Sequence, residues 1–397
     1  MAQSNSSDSI QMEVVEVCLH FPSKIYTPGM RLGLPMLIAE LATEIILGQT
    51  ILGNEKLLGK RNIAYSDESV QVLGTVSAFG YMFFLFLSTV KMDLSMIRKV
   101  GNKALCIGFL SVILPLLSGF LVDLTLVSPQ GEDVYARKNK SFFLAILYSG
   151  SSFSVIHCLL SDLMIINSEL GRLCLSAAMT SDISSMILMN ISYLMQISHD
   201  LENKTMVRHT PEGGPIRDVF IYAIIVLFLI SPKFSSWFHV FSLFGPMIVG
   251  LVIPDGPPMG SALVEKFERF VNGLFLPLFV TTCAMRVDFF QLDFSNVSTS
   301  NQVIASLVIL AVKFGVSLTL PFYCDMPKRD SIALAFIMNA KGIVELGSFS
   351  IMNDHLFTSA SLFAFLIIII IIMAVASPIL VKLLYDPSRK YASYWCR

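Results

Sequence analysis

Asp182, Lys313, Lys341, Glu345, Glu40 and Glu44 stand inside stretches that are otherwise fit for lipid. A charged side chain near the centre of a bilayer costs about 2.5–3.5 kcal/mol on insertion scales, so each of these residues needs a partner or a task. Asp182, in LSAAMTSDISSMILM, and Lys313, in AVKFG, lie deep within their apolar runs, where snorkelling to the surface explains them poorly. Glu40 and Glu44 are four residues apart on one helix face, as are Lys341 and Glu345. The second pair can neutralise itself; the first repels itself unless it is protonated or paired elsewhere. For any one of these residues the structural reading is a span-end charge that snorkels, or a fixed internal ion pair. His157 and His239 read as ordinary hydrogen-bonded histidines.

The chemistry that fits is ion exchange. A carboxylate in a partly desolvated cavity holds its proton more tightly than one in water. It accepts a proton or a small monovalent cation, but not both. Where two states of the cavity open to opposite sides of a membrane, that competition makes an antiporter. A nearby lysine can occupy the carboxylate when no cation is bound, or simply hold the assembly together.

Two stretches could frame such a cavity. YSGSSFSVIH (148–157) and MNAKGIVELG (338–347) place Gly, Ser and Asn where a lipid-facing helix would have Leu. Ser151, Ser152 and Ser154 in the first, and Asn339 and Gly342 in the second, are the candidate broken-helix residues. Freed backbone groups are tolerated at membrane depth only where they line protein or a water-filled cavity. One interrupted span in each half points to a secondary transporter with inverted repeats and a midplane site. Close helix packing through Gly and Ser is the plainer alternative.

The elements that carry these residues follow from composition. The 397 residues are 54% hydrophobic and only 14% charged, against about 25% charged in a soluble domain, and the mean hydropathy is +0.69. The expected class is an all-α polytopic membrane protein. Its net charge of −1 gives no basic field for nucleic acid. The seven Cys are scattered without a CxxC pair, so buried reduced thiols are expected. There is no HExxH or GxGD, which argues against an intramembrane protease, and no cofactor is implied. The N-terminus lacks a basic n-region and a long apolar h-region, so no cleaved signal peptide is expected.

A spanning helix needs about 20 mostly apolar residues. Eleven candidates meet that need: 32–53, 72–90, 104–127, 141–166, 172–197, 218–232, 236–253, 263–285, 302–322, 331–353 and 360–385. They divide the chain into a polar segment 1–31, a first membrane half 32–197 with Asp182, a polar loop 198–217, a second half 218–385 and a tail 386–397.

Several stretches together resemble the plant cation/proton exchanger family of the monovalent cation:proton antiporters. They are IINSELGRLCLSAAMTSDISSMIL, FGPMIVGLVIPDGPPMGSALVEKFERFVNGLFLPLF, MPKRDSIALAFIMNAKGIVELG, RLGLPMLIAELATEIILGQTILG and LLYDPSRKYASY. The resemblance implies an inverted-repeat bundle with two discontinuous crossing helices. It implies exchange of K⁺ or Na⁺ for H⁺ by an elevator-like movement of a core against a dimerisation scaffold, with a homodimer as the assembly. Asp182 falls on the family's ion-binding aspartate and would hold K⁺ or Na⁺ transiently, flanked by Thr180 and Ser181. Lys313 matches the lysine that pairs with or competes for that aspartate; Lys341, Glu345 and Glu40 fall on charged family positions.

The departures bear on function. Ser181 stands where the family has Asn or Asp, Ser154 where it has proline, and Glu44 and Gln49 where Gly and Pro are expected. The family's long C-terminal region has no counterpart, and two family spans are expected to be missing, before RLGLPMLIAEL and near residue 198. Loop charge agrees with the second loss. Lys91, Arg98, Lys99 and Lys103 lie three spans from Lys204, Arg208 and Arg217, although both groups read as cytoplasmic. A lost crossing would insert the halves in the wrong relative orientation and separate Asp182 from Lys313. A truncated or degenerate member that transports nothing, arising from an incomplete gene model or acting as a regulatory subunit, is therefore the rival reading.

Overall fold

The computed structural model describes residues 67–93, 102–125, 134–200, 243–253, 259–285, 287, 297–324, 326–356 and 360–385. The expected spans 32–53 and 218–232, with Glu40, Glu44 and His239, lie outside them, as does most of the 198–217 loop.

The described residues are helical throughout. In chain order the helices are α1 (Asp67–Val90), α2 (Asn102–Thr125), α3 (Val134–Ser149), α4 (Phe153–Asp162), α5 (Glu169–Asp200) and α6 (Phe244–Val252). Then follow α7 (Met259–Phe270), a π-helical turn (Val271–Phe275), α8 (Leu276–Met285), α9 (Val297–Tyr323), α10 (Lys328–Met338), α11 (Ile343–Leu356) and α12 (Ala360–Leu384). Seven stretches among the described residues are long and apolar enough to cross a membrane, and together with the helical fold they make this a multi-pass membrane protein. Each falls on a span expected from hydropathy. The 263–285 stretch runs as α7, the π turn and α8, with its charges (Glu265, Lys266, Glu268, Arg269) gathered on α7.

The two expected interruptions are real breaks. The chain leaves helix at 150–152, between α3 and α4, and at 339–342, between α10 and α11. In lipid an open backbone would leave N–H and C=O groups unpaired at several kcal/mol each. Both breaks therefore sit deep in protein: Ser151, Ser152, Asn339 and Lys341 are all buried.

The described helices fall into two groups. α2, α3, α5, α9, α10 and α12 pack on one another, with the half-helices α4 and α11 inside them, and form a core bundle. A second group is built on α1, which packs on α6, α7, the π turn and α8. Leu105, Phe109, Leu117, Phe120 and Leu121 on α2 and Ile304 and Leu307 on α9 remain exposed, a surface suited to lipid. Within the core, α2 and α5 approach so closely that a Cβ on Gly108 would lie 2.5 Å from the Ala177 carbonyl. Small residues at membrane helix contacts allow this approach.

Tyr81 stitches the two groups. It projects from α1, stacks on Phe279 of α8 at 4.5 Å and donates its hydroxyl to the Val344 carbonyl at 2.8 Å, at the start of α11. Its ring lies on Gly347, where an added Cβ would fall inside the ring. Gly347→Ala is expected to lower stability by about 1–3 kcal/mol, the usual cost of overpacking, read as thermal unfolding in detergent. A second substitution, Tyr81→Ala, should recover part of that loss if the clash is the cause.

The five cysteines among the described residues are reduced thiols, but only Cys174 and Cys283 are buried; Cys106 and Cys158 are exposed. Hydropathy places a thiol in a span without saying which side of the helix it occupies.

Candidate functional site

The two breaks meet. Ser151 joins them, since its hydroxyl donates to the Met338 carbonyl, the last residue of α10, at 2.8 Å. Its own N–H donates to Ser181 Oγ on α5 at 3.0 Å. One turn of α5 thus supports the first break from behind. Removing that acceptor by Ser181→Ala leaves a buried N–H unpaired and should cost about 1–3 kcal/mol, measurable as a lower unfolding temperature.

Three of the four free helix ends at the crossing are met by a charged side chain of opposite sign, and the fourth by an amide. α4 begins with no cap from its own Ser152. Its first N–H, on Phe153, instead donates to Asp182 Oδ2 at 2.9 Å. A carboxylate at a helix N-terminus is favoured by the exposed amide dipoles, increasingly so when partly buried. The end of α3 is met by two lysines. Lys341 donates to the Gly150 carbonyl at 2.8 Å and to the Leu147 carbonyl at 3.2 Å. Lys313, from the middle of α9, donates to the same Gly150 carbonyl. At the second break, Glu345 accepts from the Gly342 N–H at 2.9 Å and pairs with Lys341 at 3.4 Å. The end of α10 is closed by Asn339, whose Nδ2 donates to the Ala335 carbonyl at 2.8 Å.

Asp182, Lys313, Lys341 and Glu345 are all buried. Asp182 and Lys313 hold groups on either side of the same three-residue break, so the expected separation of the two does not occur. The reason is packing: α9 lies against α2, α3 and α10, and loop charge carries no information about that contact. Lys313 is bonded to a backbone carbonyl, and among the described residues the carboxylate that pairs with a lysine at the crossing is Glu345.

Two cavities flank the crossing. The smaller, about 70 Å³, contains Asp182, Glu345, Ser152, Ser185 and Asn190, and is closed on the α1 side by Tyr81. The larger, about 330 Å³, begins at Phe153, Lys341 and Gly342 and extends to Asp162 and the Lys91–Glu268 ion pair between α1 and α7. Tyr81 and Leu85 line the first and Phe84, Leu87 and Ser88 the second, so both cavities meet α1 along one overlapping stretch. Ser154 lines the larger cavity and touches Ser88 hydroxyl to hydroxyl, a contact between the two helix groups.

Not every candidate converges here. Thr180 belongs elsewhere: its hydroxyl donates back to the Ser176 carbonyl at 2.9 Å, and its Cβ lies by Gly108 of α2. Two residues along a helix are a rotation of about 200°, which turns Thr180 off the face that carries Asp182. Conversely, the Gly150 carbonyl, the Phe153 N–H, Tyr81 and Asn190 were not foreseen. Backbone groups carry no residue-type signal; Asn190, a polar residue in MILMNISYL, could have been noticed. No group of three or more metal-ligating side chains occurs among the described residues.

Comparison with known proteins agrees with this architecture. The sequence model of the family described as sodium/hydrogen exchanger, transmembrane, matches residues 21–210 and 203–384. The two matches meet inside the 198–217 loop. Among curated proteins, the chain is 30% identical over 91% of its length to cation/H(+) antiporter 11 of Arabidopsis thaliana. It is 31% identical over 90% to cation/H(+) antiporter 8 of the same plant. It covers 50% and 47% of those two proteins, so the chain spans about half the length of the curated relatives it matches. Among solved structures, the sodium proton antiporter MjNhaP1 from Methanocaldococcus jannaschii superposes with a TM-score of 0.61 over 95% of this chain and 96% of that one. At 12% identity that likeness shows the fold. The chain belongs to the transmembrane sodium/hydrogen exchanger family, and its motifs resemble those of the plant cation/proton exchangers.

Proposed function

We propose that this chain exchanges a monovalent cation, K⁺ or Na⁺, for H⁺ across a membrane, with Asp182 as the site the two ions share. The observation that carries this reading is the state of Asp182. It is a buried carboxylate that bonds the Phe153 N–H through one oxygen and borders a cavity, while Lys341 is engaged with Glu345 and Lys313 with Gly150. A proton and a monovalent cation add the same charge to such a group and cannot occupy it together. Ser152, also in the cavity wall, has a buried hydroxyl with no hydrogen-bond partner among the described residues. An unpaired buried oxygen beside a carboxylate is the donor set a hard monovalent cation takes when it sheds water.

The two cavities that meet the crossing give this chemistry two approaches. Movement of the core bundle against the α1 group would open one as the other closes, and the family resemblance extends the proposal to a homodimer. The test is purified chain in proteoliposomes with an acidic interior, with external K⁺ or Na⁺ added. Cation-dependent collapse of the gradient is expected. No collapse with either cation, or a collapse unchanged by loss of the Asp182 carboxylate, would place the chain among non-transporting family members.

A further inference from the structure

Asn190 lies two helical turns beyond Asp182 on α5, and Asp182, Met186 and Asn190 all face the 70 Å³ cavity. Eight residues at 1.5 Å each place Asn190 about 12 Å from Asp182 along the helix axis. That is too far to share one ion's coordination shell, but both residues line one cavity. The Asn190 amide is 7% exposed. Its Nδ2 donates to the Met186 carbonyl at 2.8 Å, which fixes the amide orientation and leaves Oδ1 as the free acceptor. Oδ1 is buried and has no hydrogen-bond partner among the described residues. A buried acceptor without a donor is uncommon, and each instance asks for a cause. The same cavity wall carries apolar side chains, Leu85, Met189, Leu243 and Met247 among them.

We propose that Asn190 Oδ1 is an outer cation ligand, a way-station at which a partly hydrated monovalent cation exchanges water for protein oxygen before it reaches Asp182. This deepens the antiport reading and rests on it. The volume suits the role: about 70 Å³ holds a few water molecules, so a cation at Asn190 keeps part of its hydration. A carbonyl-type oxygen binds hard monovalent cations without binding protons, which separates Asn190 from Asp182. Asn190 is specific to the cation, whereas Asp182 serves both ions.

The experiment compares wild type, Asn190→Leu and Asn190→Asp, reading both the half-saturating cation concentration in proteoliposomes and the unfolding temperature in detergent with and without K⁺ or Na⁺. Asn190→Leu removes an unpaired polar atom and exposes none, because the Met186 carbonyl stays inside the helix. Stability without cation should hold or rise. The half-saturating concentration should rise about tenfold, equivalent to roughly 1.4 kcal/mol, and the cation-induced thermal shift should shrink. Asn190→Asp should lower the half-saturating concentration. Two results overturn the proposal: Asn190→Leu with an unaltered half-saturating concentration and thermal shift, or Asn190→Leu with lower stability before any cation is added, the mark of a purely structural amide. If wild type shows neither flux nor a cation-induced shift, the antiport reading fails along with it. Wild-type flux with an indifferent Asn190→Leu overturns this inference alone.

Discussion

Asp182→Asn is expected to reduce cation-dependent proton movement to background while leaving the chain folded. The two halves of that outcome have separate causes. The amide keeps the size of the carboxylate, and its oxygen can still accept from the Phe153 N–H that Asp182 Oδ2 now takes at 2.9 Å. The start of α4 therefore keeps its partner, and the crossing keeps its shape. What is lost is the capacity to hold either of two cations, since a neutral amide neither binds a proton near neutral pH nor offers net charge to K⁺ or Na⁺. Neutralising the residue also relieves the insertion cost of a charge, about 2.5–3.5 kcal/mol at a bilayer centre. Unfolding temperature in the absence of cation should accordingly be at least that of wild type. A variant that is stable, correctly inserted and inactive would assign Asp182 to the exchange. Stable and fully active protein would remove it from the mechanism.

The contrast with Thr180 and Tyr81 shows how far the sequence reaches. Hydropathy over about 20 residues locates spans because lipid imposes internal pairing of every backbone group. The breaks are legible for the same reason: GSS at 150–152 and NAKG at 339–342 are residues that a continuous lipid-facing helix would not hold. Depth is legible too, and Asp182, Lys313, Lys341 and Glu345 are all found buried.

Direction and partnership are not legible. Asp182 meets a backbone N–H, and both lysines meet one backbone carbonyl, groups that every residue carries and no motif marks. Thr180, expected at the ion site with Asp182, instead donates to the Ser176 carbonyl and lies by Gly108 of α2. Tyr81 sits in an aromatic-rich span, AFGYMFFLF, where nothing distinguishes it from its neighbours until Gly347 on a distant helix is seen to make room for it. Loop charge, read as topology, predicted that Asp182 and Lys313 would part; the packing of α9 on α3 brings them to one break.

Lys341→Met should be the most destabilising single change at the crossing. Lys341 touches three acceptors: the Gly150 and Leu147 carbonyls and Glu345. Methionine fills a similar volume but donates nothing. Glu345, 5% exposed, would keep only the Gly342 N–H, and leaving one member of a buried pair uncompensated costs about 3–5 kcal/mol. Lys341→Arg should not recover it, because a planar guanidinium cannot converge on two carbonyls and a carboxylate within a space shaped for an ammonium. The decisive comparison is the double variant Lys341→Met with Glu345→Gln. It removes the stranded charge and leaves a neutral amide that still accepts from Gly342. If the cost of the single change comes from an unpaired carboxylate, the double variant must be more stable than Lys341→Met alone, by size-exclusion thermal unfolding in the same detergent. If it comes from the two α3 carbonyls, the second substitution recovers nothing, and the lysine's role is to hold the end of α3, with Glu345 only its neighbour. Both lysines converge on Gly150, so Lys313→Met in the same assay completes the argument. Lys313 bonds a carbonyl rather than a carboxylate, so the change strands no charge and should fall well short of the loss from Lys341→Met.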